Sequence, residues 1–367
     1  MTKQIETDWK TFIKFWSVPL IIMVALLVIF KSLTGLIIIG ISIFLALALR
    51  PLVNKVNDFF TKHFGKDKKH QTMSAVFAYL IVVLVFGAIV AIVGPVVVNE
   101  SAKFVQHFPE TFEQSFGGWD GVNELGKKIG IADLHGQIDG ALTNVSNDLL
   151  GVLGNNLFSS VSGIADVLMK TALVLVLTLL FLLEGPGMME SLWAAMGTNE
   201  NKKATATTKR IVTKMADVVS TYVSRQVMVA ILDGCATMVF VFILSLVFKF
   251  SSSLAIPMGM ITMLFYLIPM FGQFIGGTLV TVLLMSSNLI GGLTFAVIYV
   301  VYAQIENNII APKIQGSALN LRPVVILCSI VIGMYMFGLL GAIISVPIAG
   351  CIRVLVEEYP NIKAARG

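Results

Sequence analysis

The chain has 367 residues, 56% of them hydrophobic and only 13% charged, with a mean hydropathy of +0.88. That is more apolar side chain than one water-soluble core can enclose, and it points to a polytopic all-α membrane protein. The net charge of +5 is no sign of nucleic-acid binding, because Lys and Arg cluster beside apolar runs, where they orient a membrane protein.

Apolar runs that approach the roughly 20 residues of a helical crossing lie at 16–30, 32–49, 72–98, 163–183, 227–248, 254–287, 289–305 and 323–356. This gives about eight membrane segments. No small-residue cleavage site follows the first run, so the N-terminus is expected to be retained. Residues 1–98 thus form an N-terminal group of three segments. The stretch 50–70 is basic (Arg50, Lys55, Lys62, Lys66, Lys68, Lys69), as is 184–226 (Lys202, Lys203, Lys209, Arg210, Lys214, Arg225). With the basic residues at both ends of the chain, these stretches are expected to be cytoplasmic, and so are both termini.

Residues 99–165 contrast with them, carrying Glu100, Glu110, Glu113, Asp120, Glu124, Asp133, Asp139 and Asp148 against Lys103, Lys127 and Lys128. They are expected outside as a small helical domain. Phe104, Phe108, Phe112 and Phe116 recur every fourth residue, as do Val145, Leu149, Leu153 and Leu157, the period of amphipathic helices. Residues 166–226 hold the fourth crossing and then a cytoplasmic amphipathic helix over 203–225, with Ile211, Met215, Val218 and Tyr222 on one side. Asp166 and Lys170 are spaced for an ion pair.

The section 227–356 reads as a transport core, followed by a tail at 357–367. Runs 254–287 and 323–356 are each too long for one comfortable crossing, too short for two, and broken near the middle by Gly. Pro257 aligns with Pro323, and Met270–Phe271–Gly272 aligns with Met336–Phe337–Gly338. Each run follows a single crossing, so the two units form an inverted repeat if the runs are re-entrant hairpins, a design of secondary transporters. Two long tilted helices are the alternative. The two topologies put residues 306–322 on opposite sides.

The four histidines lie outside the apolar runs, and no HExxH or GxSxG pattern occurs. Gly121, Gly126 and Lys127 match the start of a phosphate loop, but Lys128 replaces the Ser/Thr that would hold magnesium. No enzyme activity, cofactor or metal is expected. Cys235, Cys328 and Cys351 have no CxxC spacing and read as buried small apolar residues. Polar groups at membrane depth are costly and become candidates for a solute or ion pathway. They are Asp233, Gln273, and the cluster Gln304, Glu306, Asn307 and Asn308 followed by Pro312 and Lys313. Asp233 reads as an ion site or as a partner of an interfacial Lys or Arg, and the cluster as a gate or an ordinary helix end.

The strings IPMFGQFIGG (268–277), QIENNIIAPKIQGSALNLRP (304–323) and MFGLLGAIISVPIAG (336–350), with FLLEGPGMMESL (181–192), resemble the AI-2E transporter family, also called the autoinducer-2 exporter or PerM-like permease family. The likeness is most specific at Pro269, Gly272, Pro312, Lys313, Gly316, Pro323, Gly338, Gly341 and Pro347. It implies a bacterial or archaeal inner-membrane permease that exports autoinducer-2 or exchanges Na⁺ or Li⁺ for H⁺. Gln273 departs from the family's usual Pro, and Ser224–Arg225–Gln226 departs from its Arg–Gly–Gln. The expected partners are the lipid bilayer, a small polar solute or Na⁺ and H⁺, and further copies of the chain. A secondary exporter, with its path marked by Asp233, Pro269, Gly272, Gln273, Gln304, Glu306, Asn307, Asn308, Pro312, Lys313, Gly338 and Gly341, stands against a cation/proton antiporter and a non-transporting envelope scaffold.

Overall fold

The computed structural model describes residues 32–64, 68–116, 161–197, 202–316 and 321–366, together with Lys127, Gly136 and Gly140. The run at 16–30 and most of 99–165, including the phosphate-loop look-alike and the Leu/Val stripe, lie outside the described residues. The elements are α1 (Leu33–Phe64), α2 (Lys68–Phe116), α3 (Val161–Met196), α4 (Lys202–Phe248), α5 (Ala255–Tyr266), α6 (Gly272–Ser287), α7 (Leu289–Ile305), α8 (Ala311–Gln315) and α9 (Pro323–Arg366). A 3₁₀ turn (Ser252–Leu254) precedes α5, and a π-helical turn (Glu306–Ile310) joins α7 to α8. Six of the described helices are long and apolar enough to cross a membrane. Their outward faces are apolar, as at Leu84, Val167, Leu246 and Val300, because hydrocarbon rather than water surrounds them, while the helical backbone satisfies its own polar groups.

Several helices run further than the apolar runs that announced them. The amphipathic stretch at 203–225 and the crossing at 227–248 are one helix, α4. Its amphipathic side is confirmed: Ile211 is buried, with Met215, Val218 and Tyr222 half-buried, and the Cys351 thiol of α9 donates to the Met215 carbonyl. Asp166 and Lys170 pair at 2.6 Å as the spacing predicts. The cysteine expectation is corrected. Cys235 and Cys328 are exposed and Cys351 half-buried, because the outside of this bundle is as hospitable to a small apolar group as its core.

Helix α4 is the axis of the molecule, packed by α5, α9, α1 and α7. Helices α1, α2 and α3 form a group that docks through α1 onto α4 and through α2 onto α6. A close crossing is made by Gly234 and Gly259, where an added Cβ would stand 2.7 Å and 2.5 Å from the other's carbonyl oxygen. Only glycine permits that approach of α4 to α5.

Both Gly-containing runs reverse direction. In the first, α5 ends at Tyr266, residues 267–271 turn with Met270 at φ +65°, and α6 returns against α5. In the second, Phe337 and Gly338 leave the helical region, and Gly333 comes to lie against Gly341 and Ser345, which is possible only if α9 folds back on itself there. The chain therefore forms two helical hairpins, not two long tilted helices.

Contacts at the ends of the bundle fix which loops share a side. Arg225 donates to the Gln315 carbonyl, and Arg210 and Lys214 pair with Glu358, so 306–316 and the end of α9 share one end with the basic stretch 203–225. At the opposite end, the Ser286 and Ser287 hydroxyls donate to Glu100 at 3.3 and 3.4 Å, and the Asn288 amide donates to the Phe248 carbonyl at 3.4 Å. This is the arrangement of loops that the re-entrant reading requires.

Candidate functional site

Between those ends α4, α5, α6 and α7 enclose a polar centre. Asp233 and Glu306 have no measurable exposure, although both are ionisable and stand among apolar helices. Asp233 lies eight residues beyond Arg225 on α4, about 12 Å deeper at 1.5 Å per residue. Its Oδ1 accepts from the Tyr299 hydroxyl of α7 at 2.9 Å. The Tyr299 ring can stand there because it passes over Gly277 of α6, where an added Cβ would meet it at 2.2 Å. Thr262 of α5, beside Asp233, donates to Thr237 at 3.1 Å. The carboxyl group of Glu306 adjoins Asp233, with the hydroxyls of Tyr266 and Tyr302 next to it.

Glu306 owes its position to the π-helical turn, in which the Ala311 N–H reaches back five residues to the Glu306 carbonyl. Pro312 has no N–H and its ring clashes with the carbonyl four residues earlier, so an ordinary α-helix through 308–312 is disfavoured and the widened turn relieves it. The polar cluster at 304–308 is therefore not a helix end. Gln273, in the first turn of α6, donates to Glu306 Oε2 at 2.6 Å and accepts from the Asn307 amide at 2.8 Å.

Asp233 Oδ2 and Glu306 Oε1 are buried with no hydrogen-bond partner among the described residues. Neither acid belongs to any of the ion pairs found there, so the alternative of an interfacial Lys or Arg as the partner of Asp233 is replaced by the Tyr299 hydroxyl. Two adjoining acids with unpartnered buried acceptors and no cationic partner among the described residues have the chemistry to take up a proton or a small cation.

Towards the Arg225 end this centre adjoins a cavity of about 390 Å³. The break of the first hairpin lines it with Pro269 and Met270, the π-turn and α8 with Asn307, Pro312 and Gln315, and α4 with Arg225 and Gln226. Gln226 donates to the Tyr266 carbonyl at 2.7 Å, which the end of α5 leaves without a helical partner, and accepts from Gln315 at 3.3 Å.

The structure thus gathers Asp233, Gln273 and Glu306 at the centre, with the exposed Asn307 bonded to Gln273 at its edge, and Pro269 and Pro312 at the cavity. Gly272 stands behind them in close backbone contact with Phe265. Gln304 and Asn308 are exposed, and among the described residues the Asn308 side chain bonds to the Gln304 carbonyl alone. Lys313 is exposed as well. Gly338 lies at the exposed tip of the second hairpin, and Gly341 is spent on its packing against Gly333. The first break packs through Ile268 against Ile330, Ala342 and Val346, partway along the arms of the second hairpin rather than at its tip. Sequence reasoning missed Tyr299, Thr262, Tyr266 and Gln315. Tyr and Thr are unremarkable in apolar helices, and only proximity to Asp233 or Glu306 gives them a role.

Residues 18–361 match the AI-2E family transporter family. The chain belongs to that family. Among its relatives, YrrI of Bacillus subtilis (strain 168), provisionally named a transport protein, is 21% identical over 63% of this chain and 62% of its own length. The Synechocystis protein sll0060, also provisionally named for transport, is 31% identical over 28% of this chain and 31% of its own. YueF of Bacillus subtilis is 22% identical over 78% and 76%. The chain thus spans less than two thirds of the first two of these relatives.

Proposed function

We propose that the protein is a secondary membrane transporter that moves a small polar solute and couples it to a proton or sodium ion held between Asp233 and Glu306, with both termini cytoplasmic. The observation that carries this reading is the pair of buried, unpartnered carboxylate oxygens, one on α4 and one on the π-turn. A structural scaffold gains nothing from burying two acids together without a cation, whereas an ion-coupled carrier needs such a site. The family membership and the relatives' transport names support the same class. The cavity beside the pair is the solute site, and Gln273, bonded to Glu306 and to Asn307, links the two. Export of autoinducer-2 and direct Na⁺(Li⁺)/H⁺ exchange at the acid pair are the two assignments that a flux assay tells apart.

The test is proton flux in proteoliposomes carrying a pH-sensitive dye, driven by a sodium or lithium gradient and by a pH gradient with labelled autoinducer-2. Asp233→Asn and Glu306→Gln are each expected to abolish ion-driven flux at normal membrane abundance. Unchanged ion-driven flux in both variants would remove the coupling site from the proposal.

A further inference from the structure

The geometry points to an anion-binding site in the cavity at the Arg225 end: we infer that the solute is a small organic anion with one negative charge, held by the Arg225 guanidinium. This rests on the cavity being the solute site of the transporter proposed above. Arg225 is the one formally charged side chain in the described lining, whose other polar side chains are amides and tyrosines. It joins no carboxylate among the described residues and donates instead from Nη1 to the Gln315 carbonyl. That bond fixes one edge of the guanidinium, and the remaining N–H groups meet no acceptor among the described residues.

The surroundings are built to hold it so. Gly316 turns the chain away from the guanidinium at φ +50°, where an added Cβ would stand 3.4 Å from Nη1. Gln226 is bonded at both ends of its amide, to Tyr266 and Gln315, and Gln273 to Glu306 and Asn307. With the Gln226 and Gln273 amides engaged in the frame, the charged group that the described lining offers a solute is one oriented cation, and a carboxylate or phosphate oxygen pair is the group that fits a guanidinium edge. A neutral polyol would leave the guanidinium uncompensated. The volume of about 390 Å³ is in the range of small-molecule sites.

Anionic oxygens could also come from a phospholipid headgroup, and the experiment separates the two. The full chain is reconstituted in nanodiscs of phosphatidylcholine alone. Its melting temperature and calorimetric binding are followed with lactate, gluconate and shikimate, and with neutral glycerol, ribose and the furanone form of autoinducer-2. At least one carboxylate is expected to bind and stabilise the protein while the neutral compounds do not. Arg225→Gln should weaken that binding about tenfold or more, Arg225→Lys should restore part of it, and Lys313→Gln, which removes an exposed charge, should leave it unchanged. Binding of none of the carboxylates, equal binding by the neutral compounds, or wild-type binding in Arg225→Gln overturns the inference. Stabilisation that appears only when phosphatidylglycerol is added, and is lost in Arg225→Gln, assigns the cation to a lipid and overturns it too. The assay uses no ion gradient, so a failed flux experiment leaves it standing, and its own failure leaves the acid pair's coupling role intact.

Discussion

The two hairpins carry the same Met–Phe–Gly landmark, yet the glycines do different work. Gly272 sits at the start of α6 with the Phe265 carbonyl oxygen 1.9 Å from where its Cβ would be, so it is glycine because two backbones touch. Gly338 has open space around it but a φ of +61° and ψ of −146°, so it is glycine because of its backbone conformation. In the first hairpin the left-handed residue is Met270, two positions before the glycine. A shared sequence mark thus encodes a reversal of the chain without saying what the reversal is for: the first break lines the cavity and the second lies at an exposed tip.

The sharpest way to break this contrast is Gly272→Val. The side chain would have to displace the backbone of α5, and the expected result is loss of folded protein, measured as extractable monodisperse protein. Gly40→Val, at a position with nothing within 4 Å of the Cβ, should accumulate normally. If Gly272→Val is as abundant as wild type, the close approach in the first hairpin is not required. Next in size is Gly277→Ala, which pushes on the Tyr299 ring. Overpacking of this kind costs about 1–3 kcal/mol, and moving the hydroxyl off Asp233 should lower ion-driven flux more than abundance. Normal flux would mean that the Tyr299 bond is not part of the site.

Gly338→Ala tests the other side. The cost should be about 1–3 kcal/mol of backbone strain, visible as a lower melting temperature, with binding in the cavity preserved because the tip lies outside it. Loss of solute binding at full stability would show that the second break does reach the pathway. The smallest effect is expected at Glu358→Gln, which removes the acceptor for Arg210 and Lys214. The melting temperature should fall slightly at low salt and the difference should shrink as salt is added, since both cations are half-exposed. A difference that is independent of salt would mean that packing rather than charge joins the end of α9 to α4.

Much of the fold was legible because a bilayer imposes its rules one segment at a time. Apolar length gives the crossings, Lys and Arg give the loops that share an end, and a run of awkward length with Gly at its middle narrows the choice to a hairpin or a long tilted helix. Asp233, Gln273, Glu306 and Asn307 were legible for a related reason, since a polar group at membrane depth is costly wherever its partner lies. The same local logic also selected Gln304, Asn308, Lys313 and Gly338, which the structure leaves exposed, because composition does not say which side of a helix a residue occupies. It also left open whether the cluster after 305 ends the helix, where the π-turn carries the chain onward.

The sequence by itself determined an all-α membrane chain, its two Gly-broken runs and the identity of its costly polar groups, because each of these follows from residues close together in the chain. Only the tertiary structure decided that Tyr299 bonds Asp233 across 66 residues, that Glu306 adjoins the same acid, and that Arg225 faces a cavity without a carboxylate. Those pairings depend on how closely Gly234 meets Gly259 and Gly277 meets Tyr299, and on the widened turn before Pro312. Contacts between separate helices are set by sub-ångström steric fit, to which no local pattern of hydropathy or charge is sensitive.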